Sequence, residues 1–309
     1  MSYNLNNIQG YSSIELKANQ TVEGFLSGLH RSPFYGFSVE FADYTAYNTG
    51  ESTRFIDWKL FARTDKLFIK NYQQETNPRC MVILDTSASM CFPLNSNKNP
   101  YNQNKFSFSV YACACILSML YRQRDAFGIS FISDKIEYMS EIKSSYVHKR
   151  HIFGKMEQLM SSDTGAFNKN TDISPALHKI SEALHKRSLV IIFTDLLSLS
   201  NDTEELIHSL EHLRHNNHEV LLFHVTDKLL EQHLKYKDRP YKFVDMETGD
   251  FVKLNPSQIR TEYSNITKKN TELIHNKCNN MRIDFVECDI NKDFNQILLP
   301  YLYKRMRLH

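Results

Sequence analysis

The chain carries no strong charge of either sign: 37 Lys and Arg stand against 35 Asp and Glu over 309 residues, a formal net charge of +2. No Lys/Arg block is long enough to act as a polybasic arm, and the tail Lys304-Arg305-Met306-Arg307 is short. Nucleic acid and anionic membrane surfaces are therefore not expected partners. The start, Met1-Ser2-Tyr3-Asn4-Leu5-Asn6-Asn7, lacks the basic and apolar parts of a secretory signal. No apolar stretch approaches the roughly 20 residues that span a bilayer, so no membrane span and a cytoplasmic location are expected. The six cysteines, at 80, 91, 113, 115, 278 and 288, show no C-x-x-C spacing. Several lie in apolar runs such as Tyr111-Ala112-Cys113-Ala114-Cys115-Ile116-Leu117 and read as buried free thiols. Neither G-x-x-x-x-G-K-[ST] nor G-x-G-x-x-G occurs, and no Ser or Cys has a His placed as its evident base.

What is present is an ordinary globular composition, 41% hydrophobic and 23% charged, with room for one large domain and a smaller appendage. From Cys80 onward, short apolar runs alternate with amphipathic segments, the pattern of a parallel sheet covered on both faces. The expected strands are 80–85, 127–132, 189–194, 219–225 and 282–287. Helices are expected at 104–123, 147–160, 173–186, 202–216, 256–278 and 292–306. The fold class is α/β: a doubly wound, mostly parallel sheet flanked by helices over 80–309. An insertion near 237–255, containing a strand Tyr241-Lys242-Phe243-Val244-Asp245 between two turns, is expected at the sheet edge. Residues 1–79 have turn signals, many aromatics and no long helical period, and read as a small β-rich N-terminal extension.

The most telling stretch is Asp85-Thr86-Ser87-Ala88-Ser89, at the end of the apolar run Cys80-Met81-Val82-Ile83-Leu84. A carboxylate and two hydroxyls at alternate positions are hard oxygen ligands suited to Mg2+, with Mn2+ or Ca2+ as alternatives. In open parallel sheets, ligands gather beyond the carboxyl ends of strands. Asp195 follows the run Leu189-Val190-Ile191-Ile192-Phe193-Thr194, and the loop Asn168-Lys169-Asn170-Thr171-Asp172 opens the helix before it. Three loops thus offer Asp85, Ser87, Ser89, Thr171 and Asp195 to one point. Asp-x-Ser-x-Ser alone also serves as a turn that caps a helix, so the downstream Thr and Asp are what raise it to a metal constellation.

At these residues the chain resembles the von Willebrand factor A fold with its metal-ion-dependent adhesion site. The resemblance implies that Ser87, Ser89 and Thr171 bind the ion, with Asp85 and Asp195 acting largely through bound waters. Neutral hydroxyls backed by outer carboxylates leave an electrophilic ion with one open position, which a partner's carboxylate fills.

Upstream, Arg54-Phe55-Ile56-Asp57-Trp58-Lys59 lies between Tyr47-Asn48-Thr49-Gly50-Glu51 and Ala62-Arg63. From the residues, a turn, a short helix burying Phe55, Trp58 and Ala62, and a strand returning to the main sheet are expected, with the charged residues forming a structural ion-pair cluster. This segment resembles the bacterial "domain of unknown function 58" family. Lys105, Phe243-x-Asp245-x-Glu247-Thr248-Gly249 and Arg260-x-x-Tyr263 continue the likeness. The chain departs from the family pattern with Gly50-Glu51-Ser52 for Gly-Asp-Asp and with Asn170 for a Gly before the loop Thr. The resemblance implies a metal-dependent adaptor or co-chaperone working with a MoxR-type AAA+ ATPase in protein maturation or assembly, and not an enzyme.

Two other functions compete. A metal with open positions hydrolyses phosphate esters in many proteins, yet this ligand set is rich in hydroxyls and poor in direct carboxylates. A scaffold that ignores its metal is the other. His208, His212 and His215 share one helix face, but Leu206, Leu210 and Leu213 claim the opposite face for the core, so the histidines are expected to face water.

Overall fold

The computed structural model describes residues 13–29, 44–47, 58–70, 79–94, 103–161, 172–196, 199–246 and 249–306. The chain forms two compact units, one of residues 1–23 with 79–309 and one of 24–78.

The larger unit is built on a six-stranded sheet of order β10-β7-β6-β3-β4-β5. Its strands are β3 (Arg79–Asp85), β4 (Ala126–Ile132), β5 (Ile136–Met139), β6 (Leu189–Thr194), β7 (Glu219–Thr226) and β10 (Asp284–Asp289). All neighbours run parallel except the β4–β5 edge pair. This is the expected doubly wound, mostly parallel α/β class. The central strands β3 and β6 are continuous apolar runs because helices cover both of their faces. β5 is an added antiparallel edge strand whose half-exposed, short run carries little apolar signal.

On one face, Met81, Ile83, Val190, Ile192, Val220 and Leu222 pack against α5 (Ser174–Ala183), α6 (Leu199–His215) and α7 (Pro256–Asn280). Leu206, Leu210 and Leu213 of α6 join that core, as their spacing requires. α3 (Lys105–Arg122) is buried along almost its whole length and packs on β3, β4, α4 (Tyr146–Ser161) and α8 (Asn295–Met306). Its start is fixed by a capping box in which the Asn104 side chain accepts from the Ser107 amide at 2.8 Å.

Three expectations need correction. The N-terminal extension contains a 17-residue helix, α1 (Ser13–Leu29), whose first half belongs to the larger unit. Ile14, Ala18 and Val22 of α1 are buried at a three-to-four-residue spacing that the surrounding polar residues mask. In the smaller unit, β2 (Phe68–Lys70) pairs antiparallel with β1 (Tyr44–Ala46) and not with the main sheet. There α2 (Trp58–Thr64) leaves Trp58 60% exposed, edge-on to Phe61 one turn away, and Ala62 is exposed too. Arg54, Phe55 and Asp57 lie outside the described residues. Finally, the insertion is a hairpin of β8 (Tyr241–Val244) and β9 (Phe251–Leu254) forming its own two-stranded sheet. Gly249 at φ +79° makes its turn, a backbone region that L side chains rarely enter.

Candidate metal centre

β3 is the first strand of the sheet in chain order. β4 and β5 are laid on one side of it and β6, β7 and β10 on the other, so the order reverses between β3 and β6. That reversal opens a crevice beyond the carboxyl ends of these two strands. Asp85 ends β3 and Asp195 directly follows β6, so the two carboxylates flank the switch point. Both are buried.

The first loop is tightly ordered. The Ser87 amide donates to Asp85 Oδ1 at 2.9 Å, and Thr194 Oγ1 donates to Asp85 Oδ2 at 2.7 Å. Ser87 Oγ and Ser89 Oγ lie 3.1 Å apart, both buried. Mg2+ at its usual bond length of about 2.1 Å places adjacent octahedral ligands roughly 3 Å apart, so these hydroxyls already have the spacing of two ligand positions. Past Asp195, Leu196 adopts φ 55°, a left-handed conformation that costs a branched side chain on the order of 1 kcal/mol. The resulting turn points the Asp195 carbonyl at His224 Nε2, 3.0 Å away.

Asp195 holds a second kind of partner. Lys105, fully buried at the first position of α3, donates to Asp195 Oδ2 at 2.7 Å and to Glu231 Oε1 at 2.5 Å. Glu231 lies in the π-helical turn Lys228–Gln232 that follows β7, where its Oε2 accepts from the Asp227 amide at 2.9 Å. Asp227 caps that turn and accepts from Asn291 Nδ2 at 2.9 Å, and Asn291 also donates to Asp289 Oδ1 at 2.9 Å. Each of the four neighbouring strands β3, β6, β7 and β10 thus ends at, or is directly followed by, a buried aspartate: Asp85, Asp195, Asp227 and Asp289.

Electrostatics follow from that row. Burial, then the nearby Asp195 charge, pushes Asp85 up to about 7 against the help of Thr194 and Ser87. Burial opposes the Lys105 ammonium, but Asp195 and Glu231 outweigh it and hold the group at about 12. Burial likewise raises Glu231, partly offset by Lys105, and burial lowers His224 to about 4, keeping its ring neutral. Two hard carboxylates in mutual repulsion beside two paired hydroxyls are a donor set that a divalent cation would relieve, so the residues fit such an ion.

Asp85, Ser87 and Ser89 are hydrogen-bonded in one buried loop and Asp195 follows the neighbouring strand β6, while Thr171 lies outside the described residues. Sequence reading missed Thr194 and Glu231 and gave Lys105 no role at this site. A signal for Lys105 existed: a lone lysine opens a helix with no further charge until Arg122. Elsewhere, His178 of α5 and His212 of α6 face each other with Nδ1 atoms 2.9 Å apart. With His208, Glu211 and His215 they line an open groove of about 410 Å³. Among the described residues, no three His, Cys, Asp or Glu side chains are grouped as a metal site.

A doubly wound α/β protein with a polar, carboxylate-lined switch point is thus the class that the fold defines. Within it, residues 43–273 match the family described as protein of unknown function DUF58, and the chain belongs to that family. No curated protein matches it. Solved structures are similar only at a distance. One is an aerotolerance-related membrane protein from Bacteroides fragilis, 12% identical at a TM-score of 0.43, covering 74% of this chain and 98% of its own. A second is the PilB minor pilin from Streptococcus sanguinis, 7% identical at a TM-score of 0.37, covering 79% of this chain and 64% of its own. An uncharacterized membrane spanning protein from Vibrio fischeri is 14% identical at a TM-score of 0.23, with coverages of 74% and 96%. In this chain, no described helix is long and apolar enough to cross a membrane.

Proposed function

We propose that the chain is a metal-dependent protein–protein interaction module with a von Willebrand factor A-like metal-ion-dependent adhesion site. In this reading it is a cytoplasmic adaptor or co-chaperone that works with a MoxR-type AAA+ ATPase, and it is not an enzyme. The observation that carries the reading is the meeting of Asp85 and Asp195 at the switch point beside the 3.1 Å pair Ser87 and Ser89. Asp85, Ser87, Ser89 and Asp195, with Thr171 from its loop, would hold Mg2+, with Mn2+ or Ca2+ as alternatives. When bound, the ion supplies an electrophilic point that takes a carboxylate from a partner.

The chain's own groups do the rest. Thr194 and the Ser87 amide hold Asp85 in one orientation, and Lys105 does the same for Asp195. Neutral hydroxyls leave more of the ion's charge uncompensated than carboxylate ligands would, which favours an acidic partner group. The partner class comes from the family resemblance, and the acidic chemistry from the ligand set.

An affinity pull-down with and without Mg2+, comparing the native chain with Asp85→Ala, tests this. An AAA+ ATPase recovered only with native chain and Mg2+ supports it. Capture that persists in EDTA and in the variant identifies a metal-independent scaffold instead. Mg2+-dependent turnover of phosphate esters that is lost with Asp85→Ala would identify a hydrolase.

A further inference from the structure

We infer that Lys105 is a positioning residue that sets the cation affinity of this site, holding it low until a partner's carboxylate arrives. The inference rests on the reading of the switch point as a cation site. It starts from a placement that is adverse twice over. A fully buried ammonium loses its hydration, at a cost of several kcal/mol. It also stands in the first turn of α3, where the helix dipole disfavours positive charge. Helix capping does not need it, because Asn104 and Ser107 already close the capping box. What sustains Lys105 is its pair of carboxylates, Asp195 at 2.7 Å and Glu231 at 2.5 Å.

Asp195 is therefore shared. Its Oδ2 faces Lys105, and its charge also reaches Asp85 across the switch point. A divalent cation entering beside Ser87 and Ser89 meets Asp85, held by Thr194 and the Ser87 amide, and a second carboxylate, Asp195, that an ammonium has partly neutralised. It is also repelled by that ammonium. Glu231 moderates the effect: by taking part of the Lys105 charge, it leaves more of Asp195 for the cation. An acidic group from outside adds negative charge at the cation, so cation and partner strengthen each other's binding.

The geometry assigns opposite signs to two neighbouring substitutions, which a purely structural role would not produce. Mg2+ titrated calorimetrically into the native chain is expected to bind weakly. Lys105→Met removes the competing charge and should tighten Mg2+ binding roughly tenfold or more. Glu231→Gln turns Lys105 fully onto Asp195 and should weaken it, while Lys105→Arg should stay near the native value. Circular dichroism of each variant reports folding, and Glu231→Gln retains the buried Lys105–Asp195 pair should Lys105→Met fail to fold. Equal or weaker Mg2+ binding by folded Lys105→Met, or tighter binding by Glu231→Gln, overturns the assignment and leaves the cation site standing. Absence of Mg2+ binding in the native chain and all three variants overturns the cation site itself.

Discussion

Two buried lysines in this molecule do different work. Lys149 of α4 meets Glu15 of α1 at 2.8 Å, and the ring of Tyr121 covers its ammonium at 4.5 Å from the centroid. Lys105 meets two carboxylates, Asp195 and Glu231, with Asp85 close enough to feel Asp195. The first is a fastening between helices, with cation and anion matched and an aromatic face sealing them. The second gathers two carboxylates around one ammonium, with a third nearby, where the sheet opens. A fold selected for stability alone gains nothing from an aspartate whose pKa is driven up to about 7 by burial and a neighbouring charge. A carboxylate so perturbed at the end of a sheet strand marks a candidate functional site.

Removing one carboxylate from each region has the largest expected effect. Asp195→Ala leaves Lys105 buried with Glu231 alone and should cost about 3–5 kcal/mol of stability while abolishing Mg2+ binding. Glu15→Ala should cost a similar amount, since it strands Lys149, yet leave Mg2+ binding at the native level. Chemical denaturation and calorimetry read both. Loss of Mg2+ binding in Glu15→Ala would mean that the two regions are not separate in function.

Next in size is a substitution whose stability effect has the opposite sign. Asp85→Asn keeps an acceptor for the Ser87 amide and a partner for Thr194 but removes the repelled charge. At pH 8 in EDTA it should be more stable than the native chain by ~2 kcal/mol, and it should bind no Mg2+. A buried residue whose removal stabilises the fold is there for something other than folding. Destabilisation by Asp85→Asn would return Asp85 to the role of a simple helix-capping turn.

The same contrast explains what could be read from the sequence. β3 and β6 were legible because both faces are covered and every interior position is apolar, so their ends, and hence Asp85 and Asp195, fell at a definite place. β7 and β10 were placed too, but their expected ends fell short of Asp227 and Asp289, because Thr226 and Glu287 interrupt the apolar signal. Lys105 and Glu231 meet across 126 residues of chain, and no local period carries that information. α1 was missed because half of its turns carry Gln, Asn, Thr or Gly, while its narrow apolar stripe is legible only once the surface it covers is known. The β8–β9 hairpin was half seen: its turn residues are explicit, but pairing with itself instead of the sheet edge is a tertiary choice.

The smallest expected effect concerns pH. Because Asp85 titrates near 7 in the folded chain and near 3.8 otherwise, the native state holds a proton there that the unfolded state releases. Without metal, the contribution of this group to stability is complete below about 4 and is lost as pH rises through 7. If Mg2+ takes the ionised carboxylate, its binding should run the other way, tightening about tenfold between pH 6 and 8 and then levelling off. Lys149 and Glu15 offer no such coupling, and Glu15→Ala should keep the full pH profile. Calorimetric Mg2+ titrations at pH 6, 7 and 8 on the native chain, on Glu15→Ala and on Lys105→Met separate the cases. A flat profile in the native chain would place the Asp85 carboxylate outside the cation's reach.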